Sequence, residues 1–270
     1  MKTYLELIRI NNCAMAAIAV LIGYTLVTFD FSNATGLAMI SAFLICGAGQ
    51  AINDVFDEKI DKKINKKKPI PSGKITKKNA LIFSTILFIV GILIAALINP
   101  LTLTIAIIFA LLLIIYASVL YKVKYLGNIV VALGTAFTFI FGASVTENIP
   151  LLIIIFATSA FFANMSREIT KDFEDLAKDK GFKKTLPMIS KRIGKGFVIS
   201  YHLLAILFAV AAYIVFLPNN FVYLIMVLLA AITFGQSARL LLNGNYEQSQ
   251  KKCKKGMLLS LLAYVTAIIR

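Results

Sequence analysis

Asn53-Asp54-Val55-Phe56-Asp57-Glu58-Lys59-Ile60-Asp61 closes an uncharged, apolar run that begins near residue 34. Carboxylates at this spacing, at the end of such a run, read as the last turns of one long helix. At about 100° per residue, Asp54, Asp57 and Asp61 fall within roughly 60° of one another, and Asn53 within roughly 40° of Asp57. The same spacing returns as Asp172, Asp175 and Asp179, again at the end of an apolar run and directly after Lys171. The second copy lies 118 residues after the first, and each last aspartate is followed eight residues later by a proline, Pro69 or Pro187. Two matching clusters thus hold six of the 13 acidic residues in a chain of formal charge +15.

The surrounding composition excludes a soluble domain. Hydrophobic residues make up 59% of the 270, charged residues only 15%, and the mean hydropathy is +0.85. A chain this apolar takes the bilayer as its solvent. Nine runs approach the roughly 20 residues a spanning helix needs. They lie near 12–29, 34–52, 79–98, 101–121, 126–145, 149–166, 196–216, 220–242 and 256–269, the last being the shortest. The first lacks the basic n-region and short apolar core of a leader and reads as a span.

Counting Lys and Arg over the intervening loops puts 27 of 28 on one side, and the positive-inside rule makes that side cytoplasmic. Both aspartate clusters face it, because four spans, an even number, separate them. The expected architecture is therefore all-α: a polytopic membrane protein of nine helices around a central cavity, with cytoplasmic loops as caps. One domain, 1–270, would hold two parallel pseudo-repeats, about 1–121 and 122–242, plus a final helix. An inverted repeat would place equivalent features on opposite faces instead. Outer links such as Asn99-Pro100 are short, whereas the inner loops carry polar turns, Pro69-Ile70-Pro71-Ser72-Gly73 among them.

Three carboxylates on one helical face repel one another unless a cation intervenes. Mg²⁺ suits such a face, since it takes oxygen ligands and leaves positions open for phosphate oxygens. Simple i,i+4 pairing, Glu58 with Lys62 or Lys171 with Asp175, is the bland alternative. Duplication of the spacing at equivalent helix ends argues against it. Two such clusters would clamp a diphosphate through bridging ions. A diphosphate beside a membrane cavity implies a prenyl diphosphate, whose C1–O bond ionises to an allylic cation while the metal stabilises the leaving group. With 20 Phe and 10 Tyr in the chain, composition singles out no aromatic for that cation.

The paired motifs on a bundle of this kind resemble the UbiA superfamily of intramembrane prenyltransferases over nearly the whole chain. That resemblance implies Asn53, Asp57 and Asp61 at a first magnesium and Asp175 and Asp179 at a second, with Asp54 and Asp172 as adjoining metal or catalytic candidates. The family often carries Tyr-x-x-x-Lys near its fourth or fifth span. Here Lys122 is present, but Ser118 stands where the tyrosine belongs, and Tyr116 and Tyr121 are nearest. Lys122 becomes a diphosphate contact and catalytic candidate, with Tyr116 and Tyr121 as possible partners in binding. Lys68 occupies a position where many relatives have Arg, and joins the substrate-binding set. The stretches 69–73 and 167–175 are similar to the branch that attaches the second chain of archaeal ether lipids. They imply geranylgeranyl transfer to the free hydroxyl of a lipid-like phosphate acceptor, geranylgeranylglyceryl phosphate.

Arg167 and Lys171 beside the second cluster either hold substrate phosphate or neutralise Glu168 and its acidic neighbours. Arg9 is expected to be a topology signal and His202 and the three cysteines packing residues, while helix–helix hydrogen bonding explains Asn164 and Ser166 as well as catalysis does. The basic residues are dispersed over short loops, so nucleic acid is not an expected partner. Membrane lipids are, and the sequence implies no protein partner. Two other functions remain open: a prenyltransferase for an aromatic acceptor, and a cation or lipid transporter. The transporter would place ionisable groups near the midplane or on both faces, unlike these clusters.

Overall fold

The computed structural model describes residues 2–28, 30–64, 66–119, 124–176 and 184–268. Among them are 11 helices: α1 (Lys2–Leu7), α2 (Ile10–Thr28), α3 (Asn33–Ile64), α4 (Lys77–Ala96), α5 (Pro100–Ser118), α6 (Lys124–Ser144), α7 (Leu151–Glu174), α8 (Leu186–Ile189), α9 (Lys191–Phe216), α10 (Phe221–Leu242) and α11 (Tyr246–Thr266). Hydrocarbon offers no partner to backbone N–H and C=O groups, which is why the apolar runs fold as helices. Their starts are read locally. Thr76, Asn99, Ser190, Asn220 and Asn245 each accept a hydrogen bond from the backbone N–H three residues on.

Eight of these helices, α2 to α7, α9 and α10, are long and apolar enough to cross a membrane. The ninth expected span falls in α11. That helix opens with Glu247, Lys251, Lys252, Lys254 and Lys255, and its apolar remainder, from 256 onward, is shorter than a bilayer core requires. By contrast α3, with 32 residues, is about 48 Å long at 1.5 Å per residue. It exceeds a hydrocarbon core of about 30 Å, and its acidic end is the surplus.

The chain divides into two compact units, 1–121 with 138–149 and 122–137 with 150–270. The end of α6 counts with the first unit, and α11 with the second. Polar contacts tie the end of α6 into the first unit. Asn99 Nδ2 donates to the carbonyls of Ser144 and Val145 at 2.9 and 3.1 Å, and the Thr102 and Ser144 hydroxyls lie 3.0 Å apart. A Cβ on Gly142 would stand 2.1 Å from the Val20 carbonyl oxygen, and one on Gly23 2.2 Å from that of Phe139. Only glycine permits so close a crossing of α2 and α6. Between α3 and α4, Ser41 and Ser84 donate to the Gly91 and Ala48 carbonyls at 2.8 and 2.9 Å.

The second unit is joined by the same devices. Ser159 on α7, 118 residues after Ser41, donates to the Ala205 carbonyl of α9 at 2.8 Å. Asn220 Nδ2 donates to Thr266 O at 2.9 Å, tying the start of α10 to the end of α11 as Asn99 ties α5 to the end of α6. Cys253 lies between the Ser166 hydroxyl and His202 Nε2, 3.6 Å from each, while the His202 ring stacks on Phe234 with centroids 4.7 Å apart. All three cysteines are free thiols, and Cys13 and Cys253 are fully buried.

Candidate active site

In the first unit the helix continues through the acidic motif, so the expected alignment of Asp54, Asp57 and Asp61 on one face holds. All three are buried, at 3%, 6% and 5% exposure. Carboxylates withdrawn so far from water require charged partners. Lys68 supplies one: its Nζ lies 2.7 Å from Asp61 Oδ2 and 3.0 Å from Asp54 Oδ1. Arg9 supplies another, with Nη2 2.9 Å from Asp54 Oδ1 and Nη1 2.5 Å from Gln50 Oε1. Asn53 Nδ2 donates to Asp57 Oδ2 at 3.2 Å, and its buried Oδ1 accepts no hydrogen bond among the described residues. Glu58, one step round the helix, is taken up by Lys62 at 2.8 Å and Lys77 at 3.4 Å. The bland i,i+4 pairing thus applies to Glu58, outside the aspartate face.

One apolar cluster positions both cations. Leu7 from α1, Ala51 and Val55 from α3, Ile70 and Ile75 from the following loop and Ala80 from α4 pack together in the interior. Ile70 and Ile75 anchor a self-bonded turn: Ser72 N–H donates to Lys68 O, Gly73 N–H to Ile70 O, and Ile75 N–H to Pro69 O. Gly73 turns at φ +76°, where a side chain would be strained. Leu7 ends α1 two residues before Arg9, which itself adopts φ +52°. An arginine in that left-handed region costs on the order of 1 kcal/mol or more. The price is met where the guanidinium reaches Asp54. Arg9, expected as a topology signal, thus pairs with the first acidic cluster, and Gln50 accompanies it.

The described part of the second cluster ends with α7. That helix closes at Glu174, and Asp175 is its C-cap, its N–H bonded to Lys171 O at 2.9 Å. This bond of helical spacing keeps Asp175 on the helical path, three positions after Asp172. Asp179 lies outside the described residues. Asp172 is 1% exposed and accepts from Asn128 Nδ2 of α6 at 2.8 Å. Asn128 was not legible as a site residue, although a lone amide in an apolar span is itself a signal. Arg167 is paired with the buried Glu168 and donates to Asn164 Oδ1 at 3.4 Å, and Asn164 in turn donates to Thr135. This pair is the neutralising contact expected of Arg167. Lys171 is half-buried in the last turn of α7. Tyr116 is half-buried near the end of α5, while Tyr121 and Lys122 lie outside the described residues.

These donors fit Mg²⁺. Among the described residues no three acidic, His or Cys side chains converge as a closed cage. The first cluster instead offers a buried amide oxygen beside a carboxylate, with a second carboxylate a turn further on. An open oxygen set of this kind suits an ion that keeps several positions for water and phosphate.

The UbiA prenyltransferase family model matches residues 14–262. The chain belongs to the UbiA prenyltransferase family. It is a multi-pass membrane prenyltransferase. Among family members, the digeranylgeranylglyceryl phosphate synthase of Methanococcoides burtonii is 38% identical, with 98% of this chain and 99% of that protein covered. The enzyme of the same name from Methanopyrus kandleri is 34% identical over 100% of both chains. A solved structure of a digeranylgeranylglyceryl phosphate synthase superposes with a TM-score of 0.85 at 34% identity, covering 100% of this chain and 99% of that one. A UbiA homolog from Archaeoglobus fulgidus, bound to GPP and Mg²⁺, has a TM-score of 0.72 at 16% identity over 99% of this chain and 98% of its own, a likeness of fold.

Proposed function

We propose that this UbiA family member is a Mg²⁺-dependent digeranylgeranylglyceryl phosphate synthase. It transfers a geranylgeranyl group from geranylgeranyl diphosphate to the free hydroxyl of geranylgeranylglyceryl phosphate. The observation that carries this reading is end-to-end similarity at 34–38% identity to enzymes of that name from distant methanogens. Supporting it, both acidic motifs terminate spanning helices where a polar head can meet an apolar tail. The lysines and arginines of the inner loops support an active site on the cytoplasmic side.

In the reaction the C1–O bond of the prenyl diphosphate breaks, with the electron pair leaving on the diphosphate. The acceptor hydroxyl oxygen bonds to C1, and its proton passes to water or to the released diphosphate. Bound Mg²⁺ supplies positive charge to the departing diphosphate. Asn53 Oδ1, Asp57 and Asp61 would hold one ion, and Asp175 with Asp179 the other. Asp54 and Asp172 act mainly as positioning groups. Each is the most buried aspartate of its described motif, and each is fastened by a side chain from elsewhere, Arg9 and Lys68 or Asn128. Lys122, with Tyr116 or Tyr121, and the basic pair Arg167 and Lys171 are the proposed contacts for substrate phosphates. The recurrence of Ser41 as Ser159 and of the Asn99 tie as Asn220 supports two parallel repeats with α11 as the added helix.

Acceptor choice is the test. Detergent-solubilised protein with geranylgeranyl diphosphate and Mg²⁺ is offered geranylgeranylglyceryl phosphate and an aromatic acid in competition. Prenylation of the phosphate acceptor supports the assignment, and preference for the aromatic acid overturns it.

A further inference from the structure

Lys68 stands where a metal would be expected to act. Its ammonium bridges Asp54 and Asp61, two carboxylates a full turn and more apart that no other side chain is shown to join. Only 21% of the Lys68 side chain is exposed, and the turn that carries it is pinned by buried Ile70 and Ile75. The five charged groups concerned are Asp54, Asp57 and Asp61 against Arg9 and Lys68, which leaves one net negative charge. Adding Mg²⁺ with Lys68 in place would leave one net positive charge. Adding it with Lys68 withdrawn from the aspartates leaves the set neutral.

We propose that Lys68 is a resident counter-cation that bridges Asp54 and Asp61 and competes with Mg²⁺ for Asp61. It preserves the buried cluster when the metal is away and gives up the Asp61 oxygen when metal enters. Arg9 remains on Asp54 throughout, because its guanidinium is fixed by Gln50 and by the α1–α2 turn. The exchange keeps metal affinity moderate, so that ions arrive and depart with substrate instead of residing permanently. This inference rests on Mg²⁺ binding at the first cluster, but not on the identity of the acceptor.

The experiment uses the whole protein and Mg²⁺ alone. Amine reactivity of Lys68 toward an acylating reagent is measured by peptide mass spectrometry across a Mg²⁺ titration, while binding is followed in parallel by calorimetry. The expected result is a severalfold rise in Lys68 labelling along the binding curve, with Lys62, exposed and paired to Glu58, unchanged. In Lys68→Met, where no amine competes, Mg²⁺ should bind roughly tenfold more tightly, the scale of one part-buried charged contact. Lys68→Arg, which keeps the charge, serves if the methionine variant fails to fold, and should bind Mg²⁺ about as the parent does. Mg²⁺ binding with Lys68 labelling flat or falling overturns the counter-cation role and leaves the metal site intact. Absence of Mg²⁺ binding overturns both.

Discussion

Asn128 Nδ2 donates to Asp172 Oδ2 at 2.8 Å, and both side chains are shut away from solvent at 1% exposure. An amide on α6 therefore fixes the rotamer of the first aspartate in the second motif, from 44 positions earlier in the chain. Asn128→Ala leaves a buried carboxylate short of a donor, at a cost of about 1.5–3 kcal/mol. Thermal unfolding in detergent should show a clear fall in Tm for this variant. Asn128→Asp, placing two carboxylates together, should fall further. Parent-like stability in both would mean the contact is not formed.

Asn53→Ala tests the orphaned amide oxygen. Its loss should weaken activity mainly by weakening metal binding, so turnover at low Mg²⁺ should drop at least tenfold and recover substantially as Mg²⁺ is raised. Equal loss at all Mg²⁺ concentrations would show that Asn53 serves the fold or the substrate instead.

Arg9→Ala removes the Asp54 pair and keeps a Cβ at φ +52°, so the backbone strain stays. A part-buried charged pair contributes about 1–3 kcal/mol. Stability should therefore fall on that scale, and turnover with it. Arg9→Gly, which takes φ +52° without strain, should be at least as stable as Arg9→Ala and equally impaired. A variant with full activity would return Arg9 to a role in topology alone.

The legible part of the site was the part encoded locally. The apolar run into Asp61 sets one continuous helix, and the 3–4 spacing sets its acidic face, so α3 and its aspartates could be placed from residue periodicity. At the end of α7 the spacing repeats, and the same periodicity places Asp172 and Asp175 at the close of that helix, while Asp179 lies outside the described residues. Arg9 and Asn128 were hidden for another reason: each reaches its aspartate on a different helix through packing, and nothing in its own neighbourhood names the partner; Gln50, on α3 itself, enters by accepting from Arg9. α11 shows the converse. Its length suits a span, but its lysines occupy the first half, so a hydrophobic run and a helix of spanning length do not coincide.

Gly142→Ala probes the fold away from the acidic clusters. A methyl group 2.1 Å from the Val20 carbonyl oxygen cannot be accommodated without parting α2 from α6. Destabilisation of roughly 1–3 kcal/mol is the expected scale for such overpacking. Gly235→Ala, with nothing within 4 Å of its added Cβ, is the matched control and should leave Tm unchanged. Similar melting of the two variants would contradict the close crossing.

Product analysis tests the central claim most directly. Purified protein is supplied with geranylgeranyl diphosphate, geranylgeranylglyceryl phosphate and Mg²⁺, and the lipid extract is read by mass spectrometry, alongside Asp57→Ala and Asp175→Ala. The account predicts a glyceryl phosphate carrying two geranylgeranyl chains from the parent protein, its loss on chelation of Mg²⁺, and its absence from both folded variants. Turnover of the diphosphate without that doubly alkylated product, or near-parental product from either variant, would contradict it.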